Sequence, residues 1–342
     1  MSAPGGPAEQ PTRASRPLYL RPFHGISGFI LRRLALGIVT LFVVSVIVFA
    51  ATVALPTDPA RALLGRNATP DSLKALRETL HLNRPLINQY WSFLSGLLTG
   101  DPGTSLATST PVIDVIKDSV RNSAFLVAIS AIIAIPLALT IGVLGALRRD
   151  SLFDTTSSLA LLGMAALPEF VSGIGLVLLF GTAVFSWLPP TVLLAPSEGP
   201  WTQLKELILP VVTLTLVVVP YIARFMRASM IDVLESEYVE MARLKGLPER
   251  VVILRHALPG ALVPAIQAIA LSLAYLAGGI VVVEYVFNYP GVGAKLVDAV
   301  HNKDLPVAQT VTLLIAAVYV LVNLLADVIT LLVSPRVRTS LK

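Results

Sequence analysis

Few residues in this chain could carry out chemistry, and their spacing favours no catalytic centre. The sequence has no cysteine, which excludes thiolate metal ligands and a cysteine nucleophile. The chain has four histidines, which are His24, His81, His256 and His301. They show no metal-ligand spacing and no H-E-x-x-H pattern. A G-x-x-x-x-G-K-S/T pattern is also absent, so we expect no P-loop binding of ATP and no cofactor in this chain. An intramembrane enzyme would require ionisable groups at catalytic spacing, which the sequence lacks.

Two acids interrupt long apolar runs and are candidates for a functional role. Glu169 lies in the run 155–185, directly after a proline, and Asp327 lies in the run 306–333. An unpaired carboxylate in a bilayer is costly, so Glu169 should face the interior of a helix bundle or an aqueous cavity. It could line the path of a solute and meet a substrate ammonium, or it could be neutral or hydrogen-bonded near the proline break. For Asp327 we favour a structural hydrogen bond.

The composition around these acids is that of a membrane protein. Hydrophobic residues make up 55% of the 342 residues and charged residues only 14%, whereas soluble domains carry about 25% charged residues. We attribute the net charge of +5 to cytoplasmic loops, and expect no nucleic-acid partner. Six runs could cross a bilayer, and they are 34–55, 122–147, 155–185, 207–223, 257–283 and 306–333. The run 207–223 is marginal in length.

The first and fifth of these runs support more specific predictions. The run 34–55 is too long for the apolar part of a signal peptide, so we interpret it as a retained anchor in contact with membrane lipid. Gln267 and Tyr275 lie in the fifth run and are further candidates for the lining of a solute path. Both are weaker candidates than Glu169.

The distribution of Lys and Arg predicts the orientation of the chain. With the N-terminus inside, sixteen basic residues lie in the inner segments and three in the two short outer loops. The outer segment 56–121 is long enough to escape the positive-inside rule. We therefore expect six transmembrane helices with both termini in the cytoplasm.

Three parts of unequal length follow from this topology. Residues 1–26 form a cytoplasmic tail that is rich in Pro, Ala and Gly and is expected to be disordered. Residues 27–121 comprise the first transmembrane helix and a large extracytoplasmic loop, and residues 122–338 form a core of five transmembrane helices. Within the loop we predict ordered structure, with helices over 72–82, 83–98 and 111–119.

The cytoplasmic segment 224–256 is predicted to form two short helices. Arg224 and Arg227 should mark the point where the fourth helix leaves the lipid, and Ser236 can cap a new helix. On that helix Tyr238, Met241 and Ala242 fall at i, i+3 and i+4, which predicts a single apolar face.

The residues also predict the turn that ends this helix. Arg243 and Lys245 lie in the last turn, where the helix dipole favours cations, and Gly246 supplies a left-handed stop. A second helix over 248–257 then returns to the bilayer, where Leu258 and Pro259 begin the fifth span. Such a pair of helices could rest in the interface plane, but its small apolar face among mixed charges favours docking of a protein.

The cytoplasmic segment and the start of the fifth span contain Glu240-Met241-Ala242, then three residues, Gly246, nine residues and the tetrapeptide H-A-L-P at 256–259. This pattern resembles the EAA loop of ABC importer permeases. Met in place of the first Ala, and His in place of Ile, resemble the oligopeptide, dipeptide and nickel branch of that family. Further stretches that resemble this branch are 29–49, 55–61, 100–112, 142–154, 281–293 and 304–309.

The resemblance implies an all-α integral membrane protein with the type I ABC importer permease fold and an ordered outer loop between helices 1 and 2. It implies no catalysis by this chain. The chain would form half of the path beside a second, homologous permease, commonly a different chain. Two ATPase domains or subunits would bind ATP and Mg, a solute-binding protein would deliver the substrate, and the complex would lie in the cell inner membrane.

The resemblance also implies roles for individual residues. The residues of the ATPase-coupling segment would be Glu237, Tyr238, Glu240, Met241, Ala242, Arg243, Lys245, Gly246, Leu258 and Pro259. Glu240 and Arg243 would pair with charges of the ATPase or brace the loop, and Ala242 would keep the helix thin enough to enter a cleft. Gly246 would set the angle between the two helices, and Leu258-Pro259 would tie the unit to the fifth span.

The substrate and one rival function stay open at this point. Peptides, nickel chelates, glutathione and some oligosaccharides are all carried by this branch. A secondary transporter that uses Glu169 and Asp327 as ion or proton sites is the alternative. It predicts inverted repeats with paired broken helices, for which we find no sign in the sequence.

Overall fold

The computed structural model describes residues 26–54, 59–64, 68–79, 83–194 and 199–333. The expected tail, nearly all of 1–26, and the last inner segment, 334–342, lie outside these ranges. Within them the chain is helical apart from connecting turns and an isolated antiparallel bridge between Thr104 and Pro111. The α-helices of the described ranges are α1 (Ile26–Val53), α2 (Pro59–Leu64), α3 (Pro70–Thr79), α4 (Leu86–Thr99), α5 (Val112–Leu147), α6 (Leu152–Ala166), α7 (Glu169–Leu176), α8 (Ile208–Leu234), α9 (Glu237–Leu244), α10 (Glu249–Val251), α11 (Leu258–Val286), α12 (Val292–His301) and α13 (Leu305–Val333).

Five of the described helices are long and apolar enough to cross a membrane, and a bent pair supplies a sixth crossing if it counts as one span. The bent pair consists of α6 and α7 with the π-helical turn Val177–Thr182, and its two parts meet at 103°. The apolar run 155–185 is therefore bent at its proline, and it supplies the predicted third span if the bent pair crosses the membrane as one unit. Leu167 is extended (φ −88°, ψ 126°) because the ring of Pro168 disfavours helical geometry in the residue before it.

Helix α8 is longer than the apolar run that predicted it. The run ended at residue 223, but the helix continues to Leu234. Arg224 and Arg227 thus lie inside the helix, and that they mark the point where it leaves the lipid stays a prediction. A charge ends an apolar run without ending a helix, and the added turns are held by the buried side chains of Met226 and Met230.

The segment between α1 and α5 is ordered where the structure describes it. Helices α3 and α4 match the helices predicted over 72–82 and 83–98, whereas the short helix predicted over 111–119 is the first part of α5. Tyr90 of α4 is buried against α1, where its hydroxyl contacts Ser45 Oγ at 2.8 Å. The loop before α5 is anchored by Asp304, which accepts hydrogen bonds from the backbone N–H groups of Leu106 (3.0 Å) and Ala107 (3.3 Å).

Helix α8 lies at the centre of the bundle and packs closely against α5 and α11. Its side chains Ile222 and Met226 are fully buried. A Cβ atom at Gly142 of α5 would lie only 2.6 Å from the carbonyl oxygen of Ala223, so the glycine permits the close approach of the two backbones. Helix α13 packs between α11 and α1 and completes the bundle.

Candidate functional site

Residues 236–257 form a helical hairpin that projects from the bundle. Helix α9 ends at Leu244 and is followed by Gly246, whose φ of 75° is the left-handed conformation that the sequence predicted. The N–H of Gly246 donates to the carbonyl of Arg243 (2.9 Å), and the N–H of Leu247 donates to that of Ala242 (3.4 Å). These two bonds form a Schellman motif, which satisfies the last carbonyls of α9 and fixes the turn.

The return arm of the hairpin is continuous with the long helix that follows it. Helix α10 passes into the π-helical turn Val252–Ala257, and this turn passes directly into α11. Leu258 is the first residue of α11, and Pro259 lies in its first turn. Proline has no N–H to donate to the preceding turn, and the wider π-helical turn accommodates it without a break in direction. The hairpin is therefore joined to α11 without a flexible hinge.

The start of α9 differs from the prediction in one detail. Ser236 occupies the N-cap position, but its hydroxyl donates to the carbonyl of Val233 (2.5 Å) and makes no capping bond to α9. The predicted side-chain cap was wrong because α8 ends at Leu234, and its last carbonyls compete for the hydroxyl. Glu237 and Glu240 lie in the first turn of α9, where the helix dipole favours acids.

The buried face of α9 is not the predicted one. Val239 and Ala242, three residues apart, are buried against the π-helical turn and the end of α8. Tyr238 and Met241 were expected to share a face with Ala242, but both are exposed. Ala242 therefore packs on this chain's own helices, and its small side chain allows that contact. Its role in the fit of α9 to a partner's cleft stays a prediction.

The outward face of α9 combines apolar and charged side chains. Tyr238 is 41% exposed, Met241 54% and Leu244 73%. Glu237, Glu240 and Lys245 are exposed beside them. An apolar patch surrounded by charges is typical of a surface that binds another protein.

Arg243 braces the hairpin internally. Its guanidinium donates to both carboxylate oxygens of Glu249 (Nη2 to Oε1 2.9 Å, Nε to Oε2 3.3 Å) and to the carbonyl of Leu234 (3.4 Å). The hydrogen bonds between the two side chains raise the pKa of Arg243 above its ordinary value and lower the pKa of Glu249 below its ordinary value, so both groups stay charged at physiological pH. The side chain thus connects both arms of the hairpin to the end of α8.

A second candidate site lies within the bundle, where α7 meets α11. The hydroxyl of Tyr275 donates to Oε2 of Glu169 (3.2 Å). A Cβ atom at Gly279 would lie 2.9 Å from the same oxygen, so the glycine allows the carboxylate to approach α11. Glu169 is half-buried, and Tyr275 is 53% exposed. The structure therefore brings together two of the three residues that were predicted to line a path.

Tyr275 also lines an apolar groove of about 300 Å³ between α8, α11 and α13. We call this space the groove; residues that line it include Val217, Tyr221, Phe225, Leu271, Tyr275 and Tyr319. Gln267 does not line the groove, but it is exposed on the same face of α11, one turn before Leu271 and two before Tyr275.

Asp327, for which a structural hydrogen bond was expected, forms an ion pair with another helix. Its Oδ2 lies 3.1 Å from Nε of Arg33, so the pair joins α13 to α1. The structural interpretation of Asp327 is confirmed by this contact between helices. The pair also leaves Asp327 poorly suited to be an open ion site.

Sequence reasoning missed a buried acid at the end of α11. Glu284 is fully buried and accepts hydrogen bonds from the N–H groups of Gly293 (2.7 Å) and Ala294 (3.2 Å) and from the hydroxyl of Ser123. It holds the start of α12 against α5. The residue was assigned to the loop after the fifth span because the apolar run ended one residue before it.

A second missed acid lies at the start of α6. Asp154 is buried and forms a bidentate ion pair with Arg227 of α8, with Nε–Oδ1 and Nη2–Oδ2 distances of 2.6 Å. It also accepts the backbone N–H of Asp150 (3.1 Å). Because the partners are far apart in sequence, their charges could only be counted as loop charges.

The geometry described so far defines a helical membrane protein of many spans, with a braced hairpin at one end and a groove within the bundle. Comparison with known families identifies the class more closely. Residues 134–339 match the family described as "Binding-protein-dependent transport system inner membrane component". Residues 26–127 match the N-terminal region described for the same transport systems.

Relatives of known sequence agree with this match. The glutathione transport system permease protein GsiC of Escherichia coli strain K12 is 35% identical over 310 residues, which cover 91% of this chain and 98% of the relative. A protein of Sinorhizobium fredii named "Probable peptide ABC transporter permease protein y4tP" is 36% identical over 312 residues, 91% of this chain and 99% of the relative.

The chain belongs to the family of inner-membrane components of binding-protein-dependent transport systems. It is a multi-pass membrane permease subunit of an ABC transporter with the type I permease fold. Members of the family work with other permease, ATPase and binding-protein components.

Proposed function

We propose that the chain forms half of the solute path of an ATP-driven importer for peptides or small peptide-like solutes. The second half would come from a homologous but different permease, and a solute-binding protein would deliver the substrate outside. Two ATPase subunits would hold ATP and Mg. The names of the two relatives, which refer to glutathione and to peptides, support this substrate class.

The observation that carries the proposal is the hairpin 236–257. Its back is buried through Val239 and Ala242 and is braced by Arg243, while Tyr238, Met241 and Leu244 face outward. We infer that this outward face docks on an ATPase subunit. A docked helix transmits displacement only if it is rigid, and the Schellman turn and the continuous return arm supply that rigidity.

We place the hairpin and both termini in the cytoplasm. The excess of Lys and Arg in the segments on the hairpin's side supports this orientation. The leading pathway residues are Glu169 and Tyr275, with Gln267 further along the same face of α11. The remaining coupling residues, Leu258 and Pro259, join the hairpin to that helix.

An ion-coupled secondary transporter was the rival interpretation. It required Glu169 and Asp327 as ion sites, but Asp327 is paired with Arg33. Reconstitution separates the two mechanisms. Uptake by the whole complex in proteoliposomes should require ATP, and uptake by this chain alone under a proton gradient would support the rival.

The experiment that tests coupling replaces Gly246. A Cβ atom at this position would meet nothing within 4 Å, so a substitution acts through the backbone alone. Gly246→Val should destabilise the left-handed turn by about 1–2 kcal/mol, which reduces the population of the docked geometry by a factor of roughly 5–30. The number of ATP molecules hydrolysed per solute imported should rise accordingly.

Gly246→Asn is the matched control, because asparagine tolerates the left-handed conformation. It should keep nearly normal coupling, and both variants should assemble with the other subunits. Normal coupling in Gly246→Val would contradict the docking role of the hairpin.

A further inference from the structure

We propose that Glu169 and the aromatic groove beside it bind the ammonium group of the transported solute. The inference rests on the proposed function, which it narrows to solutes with a free amino group, such as peptides with an unmodified N-terminus. Uncharged sugars and acidic chelates would lack the group that the site recognises.

The charge of Glu169 is the first argument. Three other acids of the bundle are compensated within this chain: Asp154 pairs with Arg227, Asp327 pairs with Arg33, and Glu284 accepts backbone N–H groups. In the described part of the chain Glu169 has a neutral partner, the hydroxyl of Tyr275, and forms no ion pair. A half-exposed carboxylate in an apolar bundle attracts a cation from outside the chain.

The aromatic side chains are the second argument. Tyr221 and Phe225 from α8, Tyr275 from α11 and Tyr319 from α13 line the same groove, and each is at least 46% exposed. The faces of aromatic rings attract ammonium groups, and the attraction grows when the cation is desolvated. Glu169 contacts one of these four side chains, Tyr275, so the carboxylate and the groove together form a suitable environment for an organic cation.

The depth of the site is the third argument. Tyr275 lies roughly 26 Å from the inner end of α11 and roughly 17 Å from its other end, at 1.5 Å per residue. A carboxylate at this depth would meet a cation only if water and solute can reach it. The site thus requires a path, which the class of protein provides.

The first experiment asks whether the groove is open to water. The chain contains no cysteine, so a single introduced cysteine reports one position. In the reconstituted complex, Leu271→Cys should react with a cationic, membrane-impermeant thiosulfonate, and excess peptide should slow the reaction. Ile132→Cys, at an exposed position of α5 that does not line the groove, is the matched control and should stay unreactive.

The second experiment measures selectivity. The probes are a radiolabelled pool of tri- to pentapeptides and the same pool after N-acetylation, imported by the whole complex in proteoliposomes. Glu169→Gln should reduce import of the free-amine pool about tenfold, equivalent to about 1.4 kcal/mol, and should not reduce import of the acetylated pool. Glu169→Asp should retain part of the activity, because it keeps the charge. Asp298→Asn, which removes an exposed acid from α12, should have no effect.

The outcomes separate this inference from the function on which it rests. If the wild-type complex imports neither pool with ATP, the proposed peptide function is wrong. If it imports the free-amine pool but Glu169→Gln imports that pool equally well, only the ammonium site is refuted. Equal import of both pools by the wild type would also overturn the ammonium site. So would a Leu271→Cys thiol that does not react in any state because the second permease or lipid covers it. Co-purification of the Glu169→Gln chain with the other subunits, in the same ratio as for the wild type, shows that the variant complex is assembled.

Discussion

Replacing Glu284 by alanine should destabilise the protein more than most single substitutions, because it removes the acceptor of a buried network. The carboxylate accepts the N–H groups of Gly293 (2.7 Å) and Ala294 (3.2 Å) and the hydroxyl of Ser123. The hydroxyl can rotate to another acceptor, but the two backbone donors cannot. Each buried donor without a partner costs about 1–3 kcal/mol, so Glu284→Ala should cost about 2–6 kcal/mol.

Glu284→Gln should cost less, because an amide oxygen at the position of Oε2 still accepts both backbone N–H groups. The amide nitrogen then replaces Oε1 and no longer accepts the hydroxyl of Ser123, so the expected loss is about 1 kcal/mol, that of a typical hydrogen bond. Ser123→Ala tests the same network from α5. It leaves the N–H of Val292, which donates to Ser123 Oγ at 2.8 Å, without its acceptor. Because the two residues share a hydrogen bond, the effects of Glu284→Gln and Ser123→Ala should not be additive.

The assay is thermal unfolding of the detergent-solubilised complex, followed by loss of the monodisperse species. Glu284→Ala should lower the midpoint by at least roughly 5 °C and Glu284→Gln by less. Tyr285→Phe, which changes the exposed neighbour of Glu284, is the control and should stay within about 0.5 kcal/mol of the wild type. A midpoint for Glu284→Ala equal to that of the control, or a larger loss for Gln than for Ala, would refute the reasoning.

Two further predictions concern ion pairs and use the same assay. Asp154→Asn leaves Arg227 without its bidentate partner. Because the arginine side chain is 31% exposed, the expected loss of stability is about 2 kcal/mol, which is below the usual cost of breaking a buried pair. Exchange of the two residues (Asp154→Arg with Arg227→Asp) should recover part of it, and an unchanged midpoint in Asp154→Asn would show that the pair contributes nothing. Arg33→Gln should cost less than about 1 kcal/mol, because Arg33 is 48% exposed and such pairs are screened by solvent. A loss as large as that of Asp154→Asn would contradict this ranking.

The spans and the hairpin could be predicted because their signals are local. Apolar runs identify helices that must be buried or lie in lipid, and a glycine followed by a proline identifies the turn at Gly246. The break at Pro168 could be predicted from the proline, but its angle could not, since hydropathy measures how apolar a run is and not its direction. Two helices that meet at 103° give the same apolar run as one straight helix.

The interactions that the sequence did not reveal are those between distant residues. Asp154 and Arg227 neutralise each other across 73 positions, and Glu284 is satisfied by backbone groups, which no side-chain pattern records. The buried face of α9 was misassigned for a related reason. Tyr238 and Val239 are both apolar enough to be buried, and only the position of α8 and the π-helical turn decides which of them turns inward.

The unbroken course of the chain from Glu249 to Val286 has a thermodynamic consequence. This helical rod, roughly 57 Å long at 1.5 Å per residue, carries the return arm of the hairpin, Tyr275 and Glu284 in succession. If the rod has two tilts, a ligand that prefers one of them at either end biases the other end by the same factor. Solute in the groove should then change the affinity for the ATPase by the same factor by which ATPase docking changes the affinity of the groove for the solute. A pair of binding titrations would measure both factors without any transport.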